Sequence, residues 1–399
     1  MNRLITSGDR PRRTFAVVRV ALTLACALGL AACGRPDTNL SGAATVPTTD
    51  FGTGLADLQL VTETDGWVLT DKALLWTVDG GKQWKQMKLP KDLPVSAVLG
   101  AFFIDPAQGW MTFANVAADS TQQATFSSLH TTDGGKTWAE SRIAAITPEL
   151  MGASPAYMDF VDPQHGWVAL HLQSSSNFNA GVLYQTTDGG RTWVERKIPI
   201  GSPINFINTA DGWTAGGALG NELYVTHNGG QTWAAQAVPP PQTDAPADAT
   251  YDLPTFLTSQ DGILPVTFTS ESGASTSFYA THDGGRSWKQ WTSTPLPAVI
   301  EQGVKPVAKV FNADTYLVLL PNGKAKKTKD GGKHWEATTT PDGVVKLTFA
   351  TATVGWALRS AGSCVKPKEQ CSRQSEVLGT VDGGQTWTPL LSLKVKYGK

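Results

Sequence analysis

The sequence predicts an all-β fold, a seven-bladed β-propeller built from four-stranded antiparallel blades. Three observations predict it: an eight-residue box that occurs seven times, a Gly-Trp dipeptide ahead of most boxes, and a spacing near fifty residues between copies. Composition agrees. The 399 residues include 40 Gly and 14 Trp, and only 17 % are charged. With 41 % hydrophobic residues, the chain has enough apolar surface to bury a large core.

The first box, residues 77–84, reads TVDGGKQW. Its key residues are Asp79 and Trp84. The later copies place Asp133 with Trp138, Asp188 with Trp193, Asn228 with Trp233, Asp283 with Trp288, Asp330 with Trp335 and Asp382 with Trp387. Successive Asp/Asn positions lie 54, 55, 40, 55, 47 and 52 residues apart. The box reads as a hairpin turn. Gly-Gly supplies positive φ without a Cβ penalty. The Asp or Asn carboxamide or carboxylate accepts from backbone N–H groups inside the turn. The Trp folds over the turn onto the sheet, where a buried Trp covers ~150–250 Å².

Upstream of each box, Gly66-Trp67, Gly109-Trp110, Gly166-Trp167, Gly212-Trp213 and Gly355-Trp356 each open a short apolar strand. Copy five has Gly262-Ile263, and copy six the degenerate Thr315-Tyr316. One unit is therefore strand A (Ala101–Asp105 in copy two), a turn, strand B from the Gly-Trp, strand C (Val182–Thr187 in copy three), the box turn, and strand D from its Trp. Four antiparallel strands per repeat, seven times over residues 55–399, make the propeller.

The residues before the repeats read as targeting signals. Residues 1–19 hold five Arg and one Asp, and the apolar run Val20–Ala32 follows. Its 13 residues are too few to span ~30 Å of hydrocarbon as a helix. Residues 1–32 are thus a signal peptide. Leu30-Ala31-Ala32-Cys33 resembles the bacterial lipobox, which implies lipidation of Cys33 and a lipoprotein anchored on the extracytoplasmic side of a membrane. Residues 33–54 are small, polar and rich in Gly, Pro and Thr, as a flexible tether would be. Without residues 1–32 the charge falls from −1 to −5, which argues against nucleic acid as a partner. Cys364 and Cys371 remain, and in an exported protein they are expected to form a local disulfide.

The T-x-D-G-G-x-x-W copies resemble Asp-box (BNR) repeats. With the preceding Gly-Trp strand they are similar to propellers of the photosystem II stability/assembly factor type, over residues 55–393. That resemblance implies a role in assembling or stabilising a membrane or envelope complex through protein binding. It also implies an arginine patch, and only seven Arg follow residue 32.

In a four-stranded meander the A–B and C–D turns share one face. These are the short Gly-Trp and box turns. The B–C loops and D–A crossovers share the other face and vary in length: from the Gly-Trp slot to the box acid the separations are 12, 23, 21, 15, 20, 14 and 26. Long variable loops on a rigid scaffold are where binding is expected. The candidates are 114–124, 172–180, 239–252, 269–275 and 359–376.

Other chemistries lack their residues. A sialidase would need an arginine triad and a Phe-Arg-Ile-Pro motif, and the motif is missing. Xyloglucanase-like glycosidases carry such boxes but need a second propeller. Asp244, Asp248, Asp252, Glu271, Glu301 and Glu376 are scattered over the candidate loops, and their expected use is solvation. The six histidines show no ligand spacing, so neither a metal nor another cofactor is expected. Phe178, Tyr251 and Trp291 are the aromatics that could serve a glycan. The expectation is a lipid-anchored, extracytoplasmic scaffold that binds a protein partner and is no enzyme. The alternative is an envelope glycan-binding protein or glycoside hydrolase.

Overall fold

A computed structural model describes residues 51–52, 54–90, 93–115, 124–147, 155–172, 179–240, 248–270, 273–296, 306–320, 323–363 and 371–397. Seven antiparallel sheets form the blades of a propeller ring, each made of consecutive strands. Blade 3 shows the plan: Ala156–Phe160, Gly166–His171, Gly181–Thr186 and Val194–Arg196, from the hub outward. In blade 5 the inner strand is split into Asp248–Tyr251 and Thr255–Phe256, both paired with Gly262–Ser270. A 3-10 turn, Val95–Ala97, is the one helical segment among the described residues.

The core is divided into seven hydrophobic clusters, one at each interface between consecutive blades. Both faces of every blade are covered. The middle strands therefore read as near-continuous apolar runs rather than alternating ones.

The box turns form as their residues dictate. In blade 2 the Thr131 hydroxyl donates to Asp133 Oδ1 at 2.9 Å and accepts from Gly135 N at 2.8 Å. Asp133 Oδ1 also accepts from Lys136 N and Thr137 N, and its Oδ2 from the Thr137 hydroxyl at 2.6 Å. Gly134 and Gly135 have φ of +72° and +81°. These donors, the Thr137 hydroxyl foremost, hold the Asp133 pKa down at about 2. The carboxylate thus favours the fold above the usual Asp range, and that contribution is lost as pH falls toward 2. In blade 4 Asn228 does the same work uncharged, donating from Nδ2 to the Thr232 hydroxyl.

Each box turn also docks on the A–B turn of its own blade. The first box glycine donates its N–H to that turn in all seven copies, as Gly134 N does to Ala107 O at 2.8 Å. Hence both turn types share a face. Asp105 belongs to the turn rather than to the strand predicted over Ala101–Asp105. Its carboxylate accepts from Ala107 N and Gln108 N, so the inner strand runs Val98–Phe103 instead. The strand predicted at Val182–Thr187 is likewise Gly181–Thr186.

A third repeated residue, which sequence reasoning missed, joins the blades. The inner strand ends in Phe103, Phe160, Phe206, Phe256 and Phe349 in five blades. Phe160 stacks on Trp110 of the preceding blade at 3.7 Å and meets Trp193 of its own box edge-on at 6.3 Å. Phe206 repeats this with Trp167 and Trp233. The Gly of Gly-Trp makes room for this ring: a Cβ on Gly166 would stand 2.2 Å from Phe160 Cδ1.

Blade 6 departs from the predicted alignment. Tyr316, read as the Trp equivalent, pairs with Thr328 and so occupies the glycine register, while Leu317 takes the Trp register. The inner strand there ends in Val310, opposite Tyr316. The aromatic ring has moved one strand outward, where it stacks on Phe278 at 4.8 Å.

Among the described residues each blade is made of consecutive strands, and side chains join blades 7 and 1. Trp84 packs on Trp356 at 5.4 Å, Leu60 N donates to the Thr348 hydroxyl, and Lys346 pairs with Asp57.

Candidate functional site

Opposite the box turns, the described parts of the variable face offer two grooves of mixed lining, the first of about 620 Å³ between blades 1 and 2. Its wall is the crossover through Pro90, Leu93 and Pro94. Phe113 and Leu129, nearly fully buried, form its floor. Leu99 reaches it from a bulge in the inner strand of blade 2, where pairing skips between Val98 and Gly100. Asn115 and Glu140 are its polar rim. The signal in the sequence was the Pro-flanked crossover 90–94.

A second crevice, of about 670 Å³, lies between blades 2 and 3. Tyr184 stands there beside Glu195, Arg196 and Lys197. Burial, with the Glu195 charge as a lesser cause, pushes the Tyr184 pKa up to about 12. Tyr184 is therefore a neutral phenol near pH 7, able to donate a hydrogen bond but not to act as a phenolate nucleophile.

Three ionisable groups at the hub and the interfaces are desolvated by their surroundings, Lys327 buried and Asp159 and Lys309 partly so. Asp159, on the inner strand of blade 3, accepts from Phe206 N of blade 4 at 2.5 Å, and burial pushes its pKa up to about 7. Lys309, on the inner strand of blade 6, has its pKa lowered by burial. Lys327 lies between blades 6 and 7, donates to Gly383 O at 2.8 Å, and is lowered for the same reason.

That last bond belongs to a series. A box-glycine carbonyl accepts from a donor on the preceding blade: Trp110 Nε1 reaches Gly189 O, Trp167 Nε1 reaches Gly229 O, and Gln236 Nε2 reaches Gly285 O. Blade 5 has Ile263 in the Trp slot, and Trp291 of its outer strand supplies the donor to Gly331 O instead. Blade 6 has Leu317 there, and Lys327 substitutes.

The structure scatters the sequence candidates. The centres of all five candidate loops, 116–123, 173–178, 241–247, 271–272 and 364–370, lie outside the described residues, as do Cys33, Cys364, Asp244, Glu271, Glu301 and Phe178. Cys371 opens the third strand of blade 7. Asp248 begins the inner strand of blade 5 and is exposed. Glu376, expected to be solvated, is buried and accepts from Arg359, Gln374 and Ser392, which makes it a structural hub. Tyr251 is buried, whereas Trp291 is 58 % exposed.

Four histidines brace the box face through Nδ1. His165 pairs with Asp162, His227 with Asp211, His282 with Asp261 and His334 with Asp330, at 2.6–2.8 Å. His130 instead stacks on Trp110 at 4.8 Å, and burial lowers its pKa. Among the described residues no three His, Cys, Asp or Glu side chains converge as metal ligands.

No protein-family model matches the chain. A curated relative, a probable oligoxyloglucan-reducing end-specific xyloglucanase of Neosartorya fischeri, is 25 % identical over 234 residues, which is 55 % of this chain and 28 % of the relative. This chain thus spans about a quarter of that protein's length. Among solved structures, YCF48 bound to a D1 peptide has a TM-score of 0.51 at 17 % identity, covering 78 % of this chain and 94 % of that one. The GH74 xyloglucanase of Xanthomonas campestris has a TM-score of 0.50 at 12 % identity, covering 84 % and 67 %. These structural likenesses establish the propeller fold. The expectation that the chain is no enzyme is overturned by the sequence relative, which is named a xyloglucanase. The similarity covers 234 residues, part of the propeller predicted over residues 55–399.

Proposed function

We propose that this protein is a lipid-anchored, extracytoplasmic propeller of the Asp-box kind that holds a segment of a protein partner on its variable-loop face, as an assembly or stability factor for an envelope complex. The groove between blades 1 and 2 carries this reading. Its partly exposed lining of Pro90, Leu93, Pro94 and Leu99 suits an apolar side chain of a peptide, with Asn115 and Glu140 at the rim for its backbone. The YCF48 structure, similar over nearly its whole length, was solved with a peptide bound. A photo-crosslinking amino acid at Ala97 or Asn115, both lining the groove, should capture a defined envelope protein in cells. Capture of none, together with binding to polysaccharide, overturns the reading. Cys33 carries the lipid in this proposal. Cys33→Ala should move the protein from the membrane fraction to the soluble one, and a mutant that stays with the membrane removes the anchor.

A second reading, action on a glucan, is favoured by the 234-residue similarity to the xyloglucanase. Release of new reducing ends from xyloglucan oligosaccharides by the purified chain would establish it.

A further inference from the structure

We propose that Trp291, on the rim between blades 5 and 6, is a platform on which a hexopyranose ring stacks. The site depends on neither functional reading above.

Trp291 first reads as one more stitch between blades, since its indole N–H donates to Gly331 O at 2.9 Å. That role does not need an open ring. Trp110 and Trp167 make the same bond to the equivalent glycines while fully buried, and Lys327 makes it with no ring at all. Trp291 makes it with 58 % of its surface in water.

Its placement is set by a bulge that recurs in blade 7, where Leu390 is the extra residue and lies against Gly81 of the next box. Pairing in blade 5 runs from Tyr279 with Gln290 to Phe278 with Thr292, so Trp291 is the extra residue of a bulge. Bulges re-aim side chains, and this one turns the indole over the box turn of blade 6. The next residue fixes the same segment, because the Thr292 hydroxyl donates to Gly332 O at 2.9 Å. With its N–H held and its backbone pinned, the ring cannot rotate to hide its face.

The surroundings select a sugar over an apolar protein surface. Among the described residues, no other large apolar side chain is exposed on the outer strand Lys289–Pro295 or on the box turn 328–335. Protein hot spots instead sit inside a dry apolar ring. The segments that carry and face the indole are polar: Lys289 and Gln290 precede it, Lys333 and His334 belong to the box turn it covers, and all four are exposed. A methyl on Gly331 would stand 3.5 Å from Trp291 Nε1 and 4.0 Å from Asp314 Oδ1, so the Asp314 carboxylate shares the box turn that the indole covers. A pyranose has an apolar C–H face for the indole and equatorial hydroxyls for such acceptors.

The test titrates the full chain with cellohexaose in one arm and chitohexaose in the other, following the Trp291 indole N–H resonance by NMR. One of the two should give a saturable shift at that resonance. Which one responds distinguishes a glucose from an N-acetylglucosamine polymer. Trp291→Ala should weaken that binding about tenfold, about the worth of one aromatic stacking contact. Trp291→Phe keeps a stacking face but loses the bond to Gly331, so it should bind within about threefold of the parent while melting lower. The proposal is overturned if neither oligosaccharide shifts the Trp291 resonance, or if Trp291→Ala, folded by circular dichroism, binds as the parent does. It is equally overturned if Trp291→Phe loses binding as fully as alanine, since the indole would then act only through its stitch.

Discussion

Phe160→Ala is expected to destabilise the propeller by about 3–5 kcal/mol, the range for removing a large buried aromatic. The ring is 4 % exposed and lies between Trp110, Trp193 and Phe102. Its loss opens a cavity at the interface of two blades whose backbones are held by their own sheets and cannot collapse to fill it. Gly166→Ala attacks the same joint from the other side, because its new methyl would stand 2.2 Å from Phe160 Cδ1. Blade 6 shows how the two changes compensate, with Val310 and Tyr316 in place of Phe and Gly. The double variant Phe160→Val with Gly166→Tyr should therefore recover much of what either substitution alone removes. Denaturant unfolding followed by circular dichroism measures all of these. A loss below about 1 kcal/mol for Phe160→Ala would show that the aromatic joint does not hold the blades.

Asp159→Asn is expected to stabilise the protein at pH 8 and to flatten its pH dependence. Burial between blades 3 and 4 raises the Asp159 pKa to about 7, while the N–H groups of Phe206 and Phe160 oppose the rise. An unfolded Asp titrates near 3.9. Between pH 4 and 7 the native state therefore holds a proton that the unfolded state has released. Stability then falls as pH rises across that window and levels off above it. Three pH units at 1.36 kcal/mol each bound the effect at about 4 kcal/mol. Asparagine keeps an oxygen to accept from Phe206 N and never ionises. Unfolding free energies at pH 4, 5.5 and 8 should converge for the two proteins at pH 4 and diverge at pH 8. Parallel curves would sink the assignment. The box aspartates slope the other way: their lowered pKa values cost stability only in acid, well below pH 4.

The box was legible because its chemistry is local. The hydroxyl of Thr131, the carboxylate of Asp133 and the N–H groups of residues 135–137 satisfy one another within a single turn. The Gly-Trp strands were legible for the same reason of spacing. Phe160 was not, because its partners Trp110 and Trp193 lie 50 and 33 residues away in the chain and only blade-to-blade packing unites them. The swap in blade 6 escaped because a shift of one residue in register carries no mark in composition. The groove between blades 1 and 2 draws its wall from one blade's exit and its floor from the next.

From sequence alone follow the all-β class, the seven blades, the turn face and the opposing variable face. Each rests on contacts inside one repeat or on its recurrence. The tertiary structure decided everything that two blades share: the Phe joints, the partly buried Asp159, the substitution of Lys327 and Trp291 for missing tryptophans, and the exposed ring left on the rim. The physical reason is that each sheet has two hydrophobic faces and can bury neither alone. What fills the gap between blades is set by pairs of surfaces, and no single repeat encodes a pair.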